Sequence, residues 1–382
     1  MNLSDICEAI VDCPHSTAKD EGKGYPLIRT PNVGKGRLKL DSVHRVSEQV
    51  YNQRNERAVP KTDDLILARE APIGNVAIIR QGQQVCLGQR TVLISPNKEY
   101  VDPDFLVYYL LSPELQHKLL SSANGATVSH LNMSSIRTLE VQVPDIEVQK
   151  RIGAILARID DKIELNTAIN ENLEQQAQAL FKNLIADIQE RVPFTSVIQV
   201  LGGGTPKTGK QEYWNGEIPF FTPKDVGTPY VLTTEKNITP LGLDNCNSRL
   251  YPVNTIFLTA RGTVGKVSLA GVPMSMNQSC YALAGKDGLH QIIVYHYVLE
   301  TVKALKHKAS GAVFDAIITR DFDTESVPAL SSEQIDSFIA VAEPIYSDIL
   351  NRTIENQRLA ALRDALLPKL MNGEIDVSAV QI

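Results

Sequence analysis

Residues 204–210, Gly-Thr-Pro-Lys-Thr-Gly-Lys, carry the glycine and lysine spacing of a phosphate-binding loop and follow an apolar run, Val197-Ile-Gln-Val-Leu. Such a loop needs Ser or Thr after the lysine for magnesium, and a helix behind it. Here Gln211 follows Lys210, Pro206 interrupts the loop, and Glu-Tyr-Trp-Asn-Gly is not a helical run. A turn accounts for the segment better than a nucleotide site. No H-E-x-x-H, no metal-spaced His/Cys cluster and no G-x-S-x-G elbow occurs. No glycine-rich strand-to-helix turn suits a nucleotide methyl donor. Asp63-Asp64 and Asp160-Asp161 are expected to be solvated turn and helix-face charges, and the seven histidines ordinary surface or core residues. The expectation is a chain with no catalytic residue, no metal and no cofactor of its own.

What remains is polar, basic and aromatic loop chemistry, and it occurs twice. The first set is His15, Thr17 and Lys19, then Arg29, Asn32 and Lys35, then Arg69, Gln89 and Arg90. The second is Thr205, Lys207 and Lys210, then Tyr213 and Trp214, then Lys224, Asp225, Arg261, Lys266 and Gln278. Arg and Lys pair with guanine edges or phosphates, and Asn and Gln with adenine, so these are candidate DNA-binding residues. The bland alternative is solvent-exposed turns, with Trp214 in a core. Lys303, Lys306 and Lys308 near a helix end suit phosphate or the helix dipole equally.

The total charge of −6 points away from DNA. By segment, residues 1–145 carry −1, 146–190 carry −3, 191–330 carry +2 and 331–382 carry −4. Acidity is thus concentrated in two segments without these loops. Five scattered cysteines with no C-x-x-C pair suggest a reducing, cytoplasmic setting. No signal peptide or membrane span is expected.

The positions of these residues follow from a duplication. Pro26-Leu27-Ile28, ending at Val33-Gly34, recurs as Pro219-Phe220-Phe221, ending at Val226-Gly227. Ala68-Arg69 with Gly74-x-Val76 recurs as Ala260-Arg261 with Gly265-x-Val267, and Gly88-Gln89 answers to Asn277-Gln278. Asn124-Gly125-Ala126 matches Ser310-Gly311-Ala312, and Val143-Pro144 matches Val327-Pro328. An ordered series with a slowly drifting offset is an internal repeat.

Each copy ends in a long helical pattern. Steps of 4, 3, 4, 3 pick out Ile152, Leu156, Ile159, Ile163, Asn166, Asn170, Leu173, Ala177, Leu180 and Leu184. An offset of 186 gives Phe338, Ala342, Ile345, Ile349, Arg352, Asn356, Leu359, Arg363, Leu366 and Leu370. Both are heptad seams, polar at the same two central places, where Asn and Arg layers would fix register. Pattern alone fits parallel and antiparallel pairing equally. Pro344 predicts a kink or a late helix start. The larger segments hold β-rich runs, such as Asp64-Leu-Ile-Leu-Ala, Val76-Ala-Ile-Ile and Thr255-Ile-Phe-Leu-Thr, then a helix over about 103–121 or 290–308. The fold class is α+β, two mixed α/β domains in tandem. Their bounds are 1–145 and 191–330, followed by long helices in 146–190 and 331–382.

The sequence resembles the specificity subunits of type I restriction–modification systems. Gly-Gly-Gly-Thr-Pro-Lys (202–207), Tyr213-Trp214, Ile218-Pro219-Phe220 and Lys224-Asp225-Val226 look like that family's target-recognition-domain opening. Asp12-Cys13-Pro14-His15-Ser16-Thr17 looks like a variant form, with Cys13 where Gly is usual and Ala18 where Pro is usual. Val143-Pro144 with Gln149-Lys-Arg-Ile looks like the central repeat region, and Leu366-Leu-Pro-Lys-Leu-Met-Asn-Gly-Glu-Ile like the C-terminal close. The resemblance implies an antiparallel coiled coil with pseudo-two-fold symmetry, carrying two target-recognition domains. Each would read half of a split, asymmetric double-stranded DNA sequence in the major groove, with the helices setting the gap. It also implies docking of two DNA adenine methyltransferase subunits that bind S-adenosylmethionine, and of restriction/translocase subunits that use ATP and Mg. No membrane is implied. The rival readings are a coiled-coil scaffold that never touches DNA, and, more weakly, a nucleotide hydrolase using residues 204–210.

Overall fold

The computed structural model describes residues 1–121, 130–227, 229–308 and 316–380. The match between Asn124-Gly125-Ala126 and Ser310-Gly311-Ala312 lies outside the described residues. The chain divides into two compact units: Met1–Glu164 with Arg358–Ile382, and Leu165–Gln357. Among the described residues, no helix is long and apolar enough to cross a membrane.

The first unit is built on a five-stranded sheet in the order Cys7–Asp12, Thr91–Pro96, Leu65–Ala68, Val76–Ile78, Gly36–Arg37. Neighbours are antiparallel except the last pair, which is parallel. Side chains alternate between faces along a strand. Leu65 and Leu67 accordingly join the core beneath the helices. Ile66 and Ala68 join a second core on the other face. A smaller sheet, Arg45–Val46, Tyr25–Ile28 and Cys86–Leu87, completes the unit.

The second unit repeats this plan strand for strand. Its five-stranded order is Ile198–Gly202, Cys280–Gly285, Ile256–Thr259, Val267–Ala270, Tyr230–Val231, again with only the last pair parallel. Asn237–Ile238, Trp214–Phe221 and Ser275–Met276 form the smaller sheet, with the same one antiparallel and one parallel pairing. The duplication seen in sequence is therefore a duplication of topology.

The copies differ in the helix behind the sheet. Gln291–Lys308 is continuous. The expected 103–121 helix is two pieces, Pro103–Leu111 and Pro113–Ser121. Pro113 disfavours the helical region for the residue before it, and Ser112 is extended with ψ 147°.

The long helices are Ile146–Ile185 and Ser332–Met371, each of 40 residues. Within the first unit, Ile152 and Leu156 share a core with Leu370. Gly153 permits close approach there, since a Cβ on it would lie 2.7 Å from the Phe105 nitrogen. Within the second unit, Ala177 shares a core with Phe338, Ala342 and Ile349. Pairing is antiparallel, resolving what periodicity left open. Asn166 donates to Asn356 Oδ1 at 2.9 Å and Glu355 Oε2 at 2.8 Å, whereas Asn170 donates to the Ile349 carbonyl at 3.3 Å. Arg352 donates to Asn166 Oδ1 at 3.2 Å, so the polar layers bond across the seam.

Ile159, Ile163, Leu173, Leu184, Ile345, Leu359 and Leu366 are half-buried along the seam. Leu180 lies outside it, 42% exposed, and Phe181 is buried in its place. A straight helix drifts from a strict seven-residue repeat by about 20° per heptad, which brings Phe181 inward by the helix end. The expected late start at Pro344 is not observed, because the helix is already formed from Ser332. Nor is Asp160 a solvated charge: it is buried, accepting from Tyr108 Oη at 2.6 Å and from Arg363 Nη1 at 2.7 Å. Asp64 is also buried, with a carboxylate oxygen accepting from the Lys61 amide at 2.8 Å. Burial pushes its carboxyl above the usual range.

Candidate nucleic-acid interface

Antiparallel pairing dictates which loops meet. Cys7–Asp12 ends where Thr91–Pro96 begins, with Asp12 opposite Val92, and Leu65–Ala68 ends there too, with Ala68 opposite Thr91. The loop after the first strand, the loop after Leu65–Ala68 and the loop before Thr91 must therefore emerge at one end of the sheet. In the second unit Gly202 pairs with Tyr281 and Thr259 with Cys280, so the same three loops emerge together.

In the first unit they enclose an open cleft of about 240 Å³ lined by His15, Arg69, Glu70, Gln89 and Arg90. The Gln89 amide donates to the His15 carbonyl at 3.2 Å. Arg90 sits in the left-handed region at φ 65° and pairs with Glu70 at 2.9 Å. Arg69 is largely buried, donating to Asp12 at 2.8 Å and to the Leu131 carbonyl at 2.7 Å. His15 is exposed and also meets Asp12, at 3.2 Å. The exposed polar groups are thus His15, part of Gln89 and Arg90, with Glu70 adding an acceptor; Arg69 braces the wall.

Thr17 and Lys19 are exposed in a neighbouring groove of about 560 Å³. A buried residue holds that loop. Arg54 donates to the Leu87 carbonyl at 2.6 Å, the Ser16 carbonyl at 3.1 Å and the Pro14 carbonyl at 3.4 Å. The sequence singled out neither Arg54 nor Glu70, and Asp12 only as part of the family-like stretch 12–17. Asp12 and Glu70 could have been noticed beside the singled-out loops, whereas Arg54 shows its role only through carbonyls far away in sequence. Lys35 is exposed in a separate cavity beside Tyr108 and Gln116, and Arg29 is half-buried. Asn32 is buried, accepting from the Arg29 amide at 3.1 Å and donating to the Lys39 carbonyl at 3.3 Å. Its polar atoms close a turn.

In the second unit Thr205 and Gln278 hydrogen-bond through their side chains, joining the first and third loops as Gln89 does in the other copy. Lys207 and Arg261 are exposed, the Arg261 amide donating to the Ser279 carbonyl at 3.3 Å, beside Gln278; Lys266 is exposed elsewhere, in a groove with Tyr295, Lys303 and Lys306. Of the glycines of 202–204, the second and third have a packing reason. A Cβ on Gly203 would lie 2.2 Å from the Asn277 carbonyl oxygen, and one on Gly204 would lie 2.6 Å from the Asn247 nitrogen. The Gly204 amide already donates to Met276 O at 3.2 Å, and a three-residue 3₁₀ turn, Gln211–Tyr213, follows. This geometry is a turn and not a phosphate cradle, which needs free amides and a following helix.

Lys210 lies over the Tyr213 ring at 5.1 Å and faces Glu212 at 3.5 Å. Tyr213 is buried, while Trp214 is half-buried, edge-on to Phe220 at 5.5 Å, with Lys236 5.7 Å from its ring centroid. Its indole N–H donates to the Lys207 carbonyl at 3.3 Å. The Asp225 carboxylate accepts from the Thr222 amide and hydroxyl, both at 2.7 Å, and from the Glu235 amide at 2.7 Å, so it organises its turn. Lys224 is exposed and approaches Glu235 at 3.4 Å. Lys303, Lys306 and Lys308 are engaged within the unit, with Glu300, the Gly265 carbonyl and Glu325 respectively. Helix-end charge is here used locally.

No group of three or more metal-ligating side chains occurs among the described residues. Burial pushes the Cys7 and Cys280 thiols up to about 12 and Cys86 up to about 11, which leaves them unreactive at neutral pH.

Residues 1–175 and 190–338 both match the family model described as the type I restriction modification DNA specificity domain. The chain is 26% identical over 366 residues to the type I restriction enzyme HindI specificity subunit of Haemophilus influenzae, covering 74% of this chain and 80% of that protein. It is 23% identical over 357 residues to the MjaIX specificity subunit of Methanocaldococcus jannaschii, covering 87% and 82%. Among solved structures, the type I restriction-modification system S subunit from M. genitalium superposes with a TM-score of 0.57 at 14% identity, covering 97% of this chain and 95% of that one. This last likeness concerns the fold.

Proposed function

Because the chain belongs to the type I restriction–modification DNA specificity family, and is a specificity subunit of that kind, we propose that each unit reads one half of a split DNA target through its three convergent loops. The observation that carries this is the repeated loop end of the sheet, furnished with donors and acceptors in both copies. In the first unit His15, Gln89 and Arg90 face the bases, with Thr17 and Lys19 flanking. In the second, Thr205, Lys207, Arg261 and Gln278 do so, with Lys210, Trp214 and Lys224 flanking. A major groove offers a distinct donor and acceptor pattern for every base pair, which such side chains can discriminate.

The chain itself is non-catalytic on this reading. Adenine methyltransferase subunits would bring S-adenosylmethionine and flip the base, and ATP- and Mg-dependent translocase subunits would add cleavage, all in the cytoplasm. A near-neutral reader then borrows phosphate contacts from its partners' surfaces. The scaffold alternative has only the acidity of the helical segments in its favour.

The test is methylation sequencing of DNA from cells expressing the chain with a cognate methyltransferase. A split adenine-methylation motif is expected, altered on one side only when residues 191–330 are exchanged for those of a relative. Methylation that ignores this chain would overturn the reading.

A further inference from the structure

The two seams are related by an offset of 186, and the structure lets their chemistry be compared position by position. Asp160 corresponds to Tyr346, Ala177 to Arg363, Asn170 to Asn356 and Thr167 to Thr353. The hydrogen bonds obey that relation: Asn170 reaches Thr353 Oγ1 at 3.4 Å, and Asn356 reaches Thr167 Oγ1 at 3.3 Å. Each long helix could therefore pair, in the same antiparallel register, with a second copy of itself.

The relation breaks at one pair of sites. In the first unit Asp160, with 4% of its side chain exposed, meets Arg363, 16% exposed, at 2.7 Å. Tyr108 Oη donates to the other Asp160 oxygen, and Arg37 donates to Tyr108 Oη at 3.3 Å and to Asp161 at 2.7 Å. At the corresponding place in the second unit, Ala177 and Tyr346 lie in an aromatic core with Phe181, and Tyr346 Oη meets His296 Nε2 at 3.2 Å. One locus is an ion pair; the other sets a tyrosine on a histidine, with Glu174 beside it accepting from Tyr295 Oη at 2.8 Å.

We infer that the buried Asp160–Arg363 pair is a partner-choice code, making each seam select the other and reject a copy of itself. Two first seams together would set each Asp160 opposite Ala177 and remove its arginine. Two second seams would drive each Arg363 against Tyr346 in an aromatic core, where it would lose the buried Asp160 and keep only the exposed Asp364 of its own helix, at 2.8 Å. Breaking one side of a buried ion pair is costly, whereas an apolar replacement of both is close to neutral. The pair therefore acts through rejection of wrong partners. The central layer adds little discrimination, because Glu355 would accompany Arg352 into any self-pairing. The inference is independent of what the loops bind.

The test moves the arginine in the full-length chain. In Ala177→Arg/Arg363→Ala, Asp160 and its complement lie on the first seam, so that seam becomes self-complementary. Differently tagged full-length copies are co-expressed and one tag is captured. Recovery of the second tag should rise at least about tenfold over the parent chain, equivalent to about 1.4 kcal/mol. In the same background, one tagged copy carrying Thr167→Cys and the other carrying Asn170→Cys should be joined by a chain-to-chain disulfide, since these positions would face each other as Thr353 and Asn170 do. Soluble variant with parental recovery overturns the inference, as does equal 167–170 cross-linking between copies of the parent. Should the variant not fold, a thermal double-mutant cycle of Asp160→Asn and Arg363→Met in the full chain decides. The double variant should lose less in Tm than the two single losses added together, and strict additivity overturns the code.

Discussion

His296 offers a pH dependence whose size follows from its surroundings. It is 2% exposed, stacked on Phe181 at 4.7 Å and edge-on to Phe338 at 5.3 Å, with Tyr346 Oη at its Nε2. Burial, with a smaller contribution from Lys303, pushes its pKa down to about 3. An unfolded histidine titrates near 6.5, so below that pH the unfolded chain binds a proton that the folded chain refuses. Stability is thus fully present above about pH 6.5 and is lost as pH falls toward the folded value. Between about pH 7 and about pH 5 the loss is RT ln(1 + 10^1.5), about 2 kcal/mol, less a few tenths already lost at neutrality. Trp214 is the single tryptophan of the chain and lies in the second unit, so its fluorescence reports that unit's urea unfolding. His296→Gln can still accept from Tyr346 but cannot titrate. The variant should be less stable at neutral pH, and its stability should fall about 2 kcal/mol less over the same pH interval. Parallel pH profiles for parent and variant would refute the reasoning.

Three further outcomes are expected. Arg54→Met deprives the Leu87, Ser16 and Pro14 carbonyls of their donor; it should cost about 1–3 kcal/mol, seen as faster amide exchange over residues 13–19 and weakened reading of one half-site. Gln89→Ala and Gln278→Ala should each reduce discrimination by about tenfold to a hundredfold at one half of the target, leaving the other half intact in methylation sequencing; loss on both sides from either change would contradict two separate readers. Asn170→Leu should raise the urea midpoint by the equivalent of about 1 kcal/mol, because the Asn170 amide makes only long bonds and its buried Oδ1 has no partner among the described residues; a lowered midpoint would show that the layer stabilises as well as sets register.

The duplication and the seams were legible because both depend on order and spacing. Strands such as Leu65–Ala68 and Ile256–Thr259 fall where the β-rich runs place them. What could not be read depends on distant partners. Asp160 looks like one half of a solvated acidic pair until Arg37 and Tyr108 enclose it. Leu180 and Phe181 are adjacent apolar residues, and the choice between them needs the accumulated rotation of a real helix. The loops show a further ambiguity. Asn, Asp and Thr suit base recognition and turn closure alike, and Asn32 and Asp225 spend their polar atoms on turns. Glycines 203 and 204 mimic a phosphate loop for a related reason: close backbone approach demands glycine whatever lies opposite.

The division of the chain also carries a consequence for biosynthesis. The first unit takes in residues 358–382, and Leu370 and Val377 fill its core while the Ser378 carbonyl accepts from Arg151 at 3.0 Å. The second unit is one continuous stretch, 165–357. Domains condense as units while a chain leaves the ribosome, N-terminal first in the ordinary case. Here that order is inverted: the reader translated second has all its residues available earlier. The reader translated first must wait, with the apolar side of Ile152 and Leu156 incompletely covered, until the last helix emerges. Nascent-chain lifetime, and any chaperone demand it creates, therefore falls on the N-terminal reader.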